Sequence, residues 1–262
     1  MGTILLVGCG KMGGAMAAGW LAAGRQVAVV EPIGTPPPGV APAVKDAADL
    51  PADLAPDAVV LAVKPQEAAR VLPHYARFAG GAVFVSIMAG KTVAAMRGLL
   101  GAEAAIVRAM PNTPAAIGRG ITVCCAGPGV SPAQRDLADA LLKTVGQVAW
   151  VEDEALIDPV TAVSGGGPAY VFLLVEVLAQ AAMAEGIPEE LAMRLARATV
   201  AGSGALLDAS AAVPAATLRQ NVTSPGGTTA EALAVLMAED AWPALARRAI
   251  AAATARSRAL SG

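Results

Sequence analysis

At 262 residues the chain can hold one large domain or two of ordinary size, with ample length for a core. Its net charge of −2 and pI near 5.5 give no basis for a nucleic-acid partner or an anionic membrane surface. The most apolar run, 169–184, is interrupted by Glu176 and Gln180 and falls short of a membrane span.

The chain opens on "TILLV", an apolar run that predicts a buried strand over Thr3–Val7. Gly8-x-Gly10-x-x-Gly13 follows, then a helix to about Ala23 and a strand over Gln26–Val30 that runs into Glu31. This order is what a dinucleotide requires. Gly8 makes the tight turn, Gly10 lets the backbone approach a pyrophosphate, and Gly13 lets the helix pack on the strand. The phosphates then meet free N–H groups at the helix N-terminus. Glu31 has two readings: an acceptor for ribose hydroxyls that would repel the extra phosphate of NADP, or a solvated acid at a strand end. Pro32 follows it directly and no arginine stands on the same loop, so NADH and NADPH both stay open.

The proline-rich stretch 32–42 reads as a surface excursion. "AVVLAVKP" (58–65), "AVFVSIMAG" (82–90) and the start of "AAIVRAMPNTP" (104–114) are β-rich, as is 121–125. A helix over 132–142 and a strand near 147–151 complete this half. Strands alternating with helices predict an α/β fold, a Rossmann-type doubly wound parallel sheet. Its ligand crevice lies beyond the carboxyl ends of the strands, where Lys64, Ala89, Gly90, Met110, Pro111 and Asn112 fall. Cys9, Cys124 and Cys125 lack metal-ligand spacing, and the adjacent pair in a strand points to opposite faces. With no basic leader ahead of the first strand, we expect a reduced, cytoplasmic protein without a metal.

After about Asp158 the strands stop. The pattern predicts helices over 167–186, 188–210, 215–220, 228–237 and 242–260, giving a dinucleotide-binding domain over 1–157 and an all-helical domain over 158–262. Several helices are apolar around most of their circumference, more than a small bundle can bury, which points to dimerisation through this half. Within it "NVTSPGGTTAEAL" (221–233) breaks the pattern. Pro225, Gly226 and Gly227 end one helix; Thr228 and Thr229 begin the next, whose free N–H groups suit a small carboxylate. Ser224, Thr228 and Thr229 add hydroxyls. A capping turn accounts for one hydroxyl, not for three beside two glycines.

From residue 151 onward there is neither lysine nor histidine. The one histidine, His74, falls at the end of a helix away from the strand ends and reads as a surface residue. A carbonyl reduced to an alkoxide needs a proton donor, whereas an imine can enter already protonated on nitrogen. The residues therefore point to imine reduction.

"VRAMPNTPA" (107–115), "AVSGGGPAYVF" (162–172) and "NVTSPGGTTAEAL", with "GCGKMG" and "AVKP" before them, resemble the signature stretches of the pyrroline-5-carboxylate reductase family across the whole chain. The resemblance implies a Rossmann-type domain followed by a helical domain that forms a homodimer or larger homo-oligomer. The implied reaction is reduction of the cyclic imine 1-pyrroline-5-carboxylate to proline by NADPH or NADH, the last step of proline biosynthesis. Carried over, Gly8, Gly10, Lys11, Met12 and Gly13 would take the pyrophosphate. Ala62, Val63, Lys64 and Pro65 would line the nucleotide with Met88, Ala89 and Gly90. Met110, Pro111, Asn112 and Asn221 would lie around the nicotinamide end. The Gly226, Gly227, Thr228 and Thr229 amides would hold the substrate carboxylate, Ser224 would also bind the substrate, and Thr229 would set its hydroxyl at the imine nitrogen.

Two places depart from the family pattern. Gly166 stands where similar proteins often carry a serine, and the loop after Glu31 lacks the Ser/Arg residues that bind the NADP phosphate. A 3-hydroxyacid dehydrogenase would need a lysine on a helix of the second half, and there is none. A non-catalytic dinucleotide sensor or a reductase of another cyclic imine acid are the other readings.

Overall fold

The computed structural model describes residues 2–261. By its internal contacts the chain divides into two units, Met1–Gly166 with Ala253–Gly262, and Gly167–Ala252.

The first unit is an eight-stranded sheet with strands β1 (Thr3–Val7), β2 (Gln26–Val30), β3 (Ala43–Val44), β4 (Ala58–Leu61), β5 (Val83–Ser86), β6 (Ala105–Met110), β7 (Gly120–Ala126) and β8 (Gly146–Val151). Its order is β3-β2-β1-β4-β5-β6-β7-β8, so the chain reverses direction across the sheet between β1 and β4. Helix α1 (Lys11–Ala22) joins β1 to β2. A short turn of helix, α2 (Ala68–Val71), between two 3-10 segments joins β4 to β5, and α3 (Val93–Leu100) joins β5 to β6. Helix α4 (Pro132–Lys143) joins β7 to β8.

Both faces of the central strands are buried, which explains their unbroken apolar runs. Alternation divides them: Ile4, Leu6, Val27, Val29 and Val60 pack under α1 and α4, while Leu5, Val7, Val59, Leu61 and Phe84 pack under Tyr75 and Met96. Trp20 of α1 is fully buried and donates its Nε1–H to the Leu141 carbonyl of α4 at 2.9 Å, tying the two helices together. Helix α4 starts in a complete capping box, with Ser131 and Gln134 exchanging side-chain and backbone hydrogen bonds.

One strand runs against expectation. β7 is antiparallel to β6, with Arg108 opposite Cys125. Residues 111–119, mostly a 3-10 turn, connect the two, too short a segment for the crossover a parallel pair needs. Directly after the proline-rich excursion comes an edge strand, β3, paired with β2. Cys124 and Cys125 point to opposite faces, both as free thiols; burial, with Asp139 nearby, pushes the Cys124 thiol up to about 12.

After β8 a helical run covers Glu154–Ala184, taking in α5 (Ile157–Val160) and one π turn, and its most apolar 18-residue stretch has a mean hydropathy of 1.6. By length and composition this run could cross a membrane, a reach the sequence reading of 169–184 alone did not count.

The second unit consists of α6 (Gly167–Ala184), α7 (Glu189–Ala209), α8 (Ala215–Asn221), α9 (Thr228–Leu236) and most of α10 (Trp242–Ser261). Helices α6 and α7 pack on one another through small residues, Ala179, Ala192 and Ala196. Their remaining faces leave Val171, Phe172, Leu173, Leu195 and Leu206 exposed in the single chain. An apolar surface of this extent marks a contact with another protein surface.

Candidate functional site

The reversal of strand order puts the carboxyl ends of β1 and β4 side by side, the place where open α/β sheets bind ligands. The glycine turn stands there. Gly8 has φ +88°, and a Cβ on it would lie 2.8 Å from the Ala62 carbonyl oxygen. A Cβ on Gly13 would lie 2.5 Å from the Gly8 carbonyl oxygen and 3.3 Å from the Ala62 Cβ. Both glycines are thus demanded by close packing between the turn and the segment after β4. Gly10 is different: it is exposed, and nothing lies within 4 Å of where its Cβ would be. Its bareness leaves backbone open to a ligand. Gly10 is also the N-cap of α1, and no side chain caps that helix end. These features fit a pyrophosphate resting on free N–H groups.

Replacing Gly13 by alanine is expected to weaken NADH and NADPH binding by about 10–100-fold, matching an overpacking cost of about 1–3 kcal/mol. Gly14→Ala is the control, since a Cβ there meets only ordinary contacts at 3.8 Å and beyond. A fluorescence titration of the reduced nicotinamide reads both. Equal affinities in the two variants would remove Gly13 from the binding loop.

The other residues expected on the cofactor side lie around this reversal, at successive strand ends. Ala62 and Val63 are half-buried after β4, Lys64 is exposed, and Pro65 opens the 3-10 segment that follows. Lys11 is exposed in the first turn of α1, and Met12 packs partly against the core. After β5, Met88 is buried in the core, so it offers a ligand its backbone and not its side chain. Ala89 is exposed; Gly90, at φ +69°, is held against Leu260 near the end of α10, whose carbonyl oxygen would stand 3.0 Å from a Cβ. At the end of β6, Met110 packs beside Val123 and Ile157, and Pro111 is buried. The Asn112 Oδ1 accepts the Ile121 N–H at 3.0 Å, which fastens the β6–β7 connection and leaves its amide N–H groups to donate.

Glu31 is half-buried and held in place. Its Oε2 accepts the Cys9 N–H of the glycine turn at 2.5 Å, and its Oε1 accepts the Ile33 and Gly34 N–H groups at 2.9 Å each. Burial pushes its pKa up, but the backbone donors of Gly34, Cys9 and Ile33 outweigh that and hold it below the usual carboxylate range. His74 is exposed in the 3-10 segment before β5.

A cluster that the sequence reading passed over lies beneath the β6 end. Arg108 is 3% exposed, with its Nη1 2.9 Å from Glu154 Oε1 and its Nη2 3.9 Å from Asp158 Oδ1. Glu154 Oε1 also accepts the Val93 N–H at the start of α3, and Asp158 Oδ1 accepts the Ser257 Oγ–H of α10 at 2.6 Å. The signal was present: a lone arginine inside the apolar run "AIVRAM" needs a buried partner.

In the second unit Asn221 ends α8 and is exposed. Gly226 has φ +67°, a conformation few other residues accept. Gly227 is the N-cap of α9, and no side chain caps that helix. Its own N–H is taken by the Ser224 carbonyl, while its carbonyl accepts from Ala230 and Glu231. Among the described residues the N–H groups of Thr228 and Thr229 and the hydroxyls of Ser224, Thr228 and Thr229 make no hydrogen bond. The capping alternative is therefore not in use. What remains is a helix N-terminus with two open amides and three hydroxyls, a setting for one carboxylate.

Comparison with known proteins gives two family-model matches: pyrroline-5-carboxylate reductase dimerisation over residues 154–260, and NADP oxidoreductase, coenzyme F420-dependent, over 3–90. The chain is 42% identical to a pyrroline-5-carboxylate reductase of Pseudomonas aeruginosa over 206 residues, 78% of this chain and 75% of that one. It is 39% identical to the corresponding protein of Mycobacterium tuberculosis over 261 residues, 89% of this chain and 88% of the other. Among solved structures, a pyrroline-5-carboxylate reductase from Coxiella burnetii superimposes with a TM-score of 0.89 at 32% identity, covering 100% of this chain and 99% of that one. A pyrroline carboxylate reductase of Plasmodium falciparum with NADP bound gives 0.83 at 28% identity, covering 100% and 98%.

Proposed function

The chain belongs to the pyrroline-5-carboxylate reductase family, and from that premise we propose which of its residues carry the reaction. The reaction is reduction of the cyclic imine 1-pyrroline-5-carboxylate to proline, by an oxidoreductase that uses NADH or NADPH. One observation carries the assignment of residues: α9 follows its N-cap Gly227 with the Thr228 and Thr229 amides and nearby hydroxyls uncommitted, in a stretch of chain without lysine or histidine.

The turn Gly8, Gly10, Lys11, Met12 and Gly13 would hold the pyrophosphate of the dinucleotide, beside Ala62, Val63, Lys64 and Pro65. Met88, Ala89 and Gly90 continue that wall, and Met110, Pro111 and Asn112 serve the nicotinamide end. Bound there, the reduced nicotinamide supplies the hydride. The N–H groups of Thr228 and Thr229, with the Gly226 backbone and the Ser224 hydroxyl, hold the substrate carboxylate at the positive end of α9; the Gly227 N–H, expected to join them, is spent on the Ser224 carbonyl. This fixes the ring, and the Thr229 hydroxyl then meets the ring nitrogen. It accepts the N–H of the protonated imine or donates to the lone pair of the neutral one. No acid is needed to quench a developing alkoxide, so the absence of lysine and histidine from this stretch costs the reaction nothing.

The matched dimerisation region makes the chain a homo-oligomer. We assign the exposed apolar faces of α6 and α7 to that contact, forming a dimer from which larger assemblies grow, in the cytoplasm.

A substrate without the carboxylate tests the assignment. We expect 1-pyrroline to be reduced with a kcat/KM about 100-fold or more below that of 1-pyrroline-5-carboxylate, the loss of a charge-assisted bond of about 3 kcal/mol. Equal kcat/KM for the two would remove the carboxylate from the α9 N-terminus.

A further inference from the structure

We propose that Glu31 makes this chain prefer NADH, by accepting a hydrogen bond from the adenosine ribose and rejecting the 2′-phosphate of NADPH. The inference rests on the dinucleotide reading of the glycine turn given above. Glu31 stands one residue beyond β2, beside the reversal in strand order, and its carboxylate is clamped by backbone from two separate segments. Cys9 N–H holds Oε2 from the glycine turn; Ile33 and Gly34 N–H hold Oε1 from its own loop.

Two consequences follow from that clamp. Both lone pairs of Oε1 are occupied, whereas Oε2 has one in use and one left, which suits a single ribose hydroxyl. A phosphate brought to the same place meets a carboxylate that cannot swing aside without giving up three hydrogen bonds. At about 4 Å the repulsion between two unit charges is worth about 1–4 kcal/mol between the water and partly buried limits, or roughly 5- to 1,000-fold in affinity.

The loop offers nothing to offset it. Residues 32–44 contain no lysine or arginine, and the next cation, Lys45, is exposed beyond β3. Lys11 lies in the first turn of α1, where its charge serves the pyrophosphate. Ile33, two residues after Glu31, is 95% exposed and gives an adenine ring an apolar surface. A site built for NADP has the opposite character, with an arginine accommodating the phosphate.

The test is an equilibrium titration of the purified full-length protein with NADH and with NADPH, followed by turnover of 1-pyrroline-5-carboxylate with each. Wild-type protein is expected to bind NADH at least about tenfold more tightly, with the same sense in kcat/KM. Glu31→Gln, which removes the charge but keeps the shape, is expected to shift the NADPH/NADH affinity ratio toward NADPH by at least about fivefold. Glu31→Asp, which keeps the charge, retains the preference for NADH. NADPH bound as tightly as NADH by wild type, or a Glu31→Gln variant that weakens both equally, overturns the proposal. Should Glu31→Gln fail to fold, the wild-type ratio alone decides. Tighter NADH binding without imine turnover upholds Glu31 and defeats the reductase reading; binding of neither nucleotide defeats both.

Discussion

Replacing Thr229 by alanine is expected to lower kcat for 1-pyrroline-5-carboxylate by about 10²–10³-fold, the range seen when one positioned donor or proton-handling group is removed. Cofactor affinity is expected to stay within twofold, because the cofactor turn belongs to a different part of the chain. The fold of α9 is also expected to survive. No side chain caps its N-terminus, so loss of the hydroxyl removes no cap, and alanine is a better helix former than threonine. Thr229→Ser keeps the hydroxyl and is expected to recover most of the rate. Steady-state kinetics with a parallel cofactor titration reads all three quantities. Equal losses in turnover and in cofactor binding, or a serine variant as impaired as alanine, would make Thr229 a structural residue.

Arg108→Leu carries the largest expected effect on stability, about 3–5 kcal/mol, which for a chain of this size lowers Tm by on the order of 10 °C. The reason is what the substitution leaves behind. Glu154 loses the 2.9 Å ion pair, and Asp158, 8% exposed, loses the Arg108 guanidinium at 3.9 Å. These carboxylates still hold the Val93 N–H and the Ser257 hydroxyl. The damage therefore reaches the start of α3 and the last turns of α10 as well as β6. Thermal melts at one fixed protein concentration are the measurement, since an oligomer's Tm moves with concentration. A fall of less than about 1 kcal/mol, the worth of an exposed pair, would mean that the cluster is solvated.

Much of the first unit was legible in the sequence because its signals are local. A strand, three glycines at fixed spacing, a helix and a second strand specify one another within 31 residues, and Gly8 and Gly13 prove to be the positions where a Cβ has no room. The α9 N-terminus was legible for the same reason: Pro225, Gly226 and Gly227 end a helix and Thr228 starts one, whatever the rest of the fold does.

What escaped is non-local. The direction of β7 is set by the length of the connection 111–119, and the spacing of apolar runs does not report direction. The Arg108 cluster draws on β6, the start of α3, the segment after β8 and the end of α10, separated by up to 164 positions between Val93 and Ser257. Glu31 shows the boundary between the two cases. The sequence placed a carboxylate at the end of β2, but only the three backbone donors converging on it distinguish a clamped acceptor from a freely rotating one.

The central claim is imine reduction, and the direct measurement is oxidation of NADH and of NADPH by the purified protein with 1-pyrroline-5-carboxylate, with proline quantified as product. The account predicts nicotinamide oxidation matched one-to-one by proline. Folded protein that binds nucleotide yet forms no proline with either cofactor would contradict it.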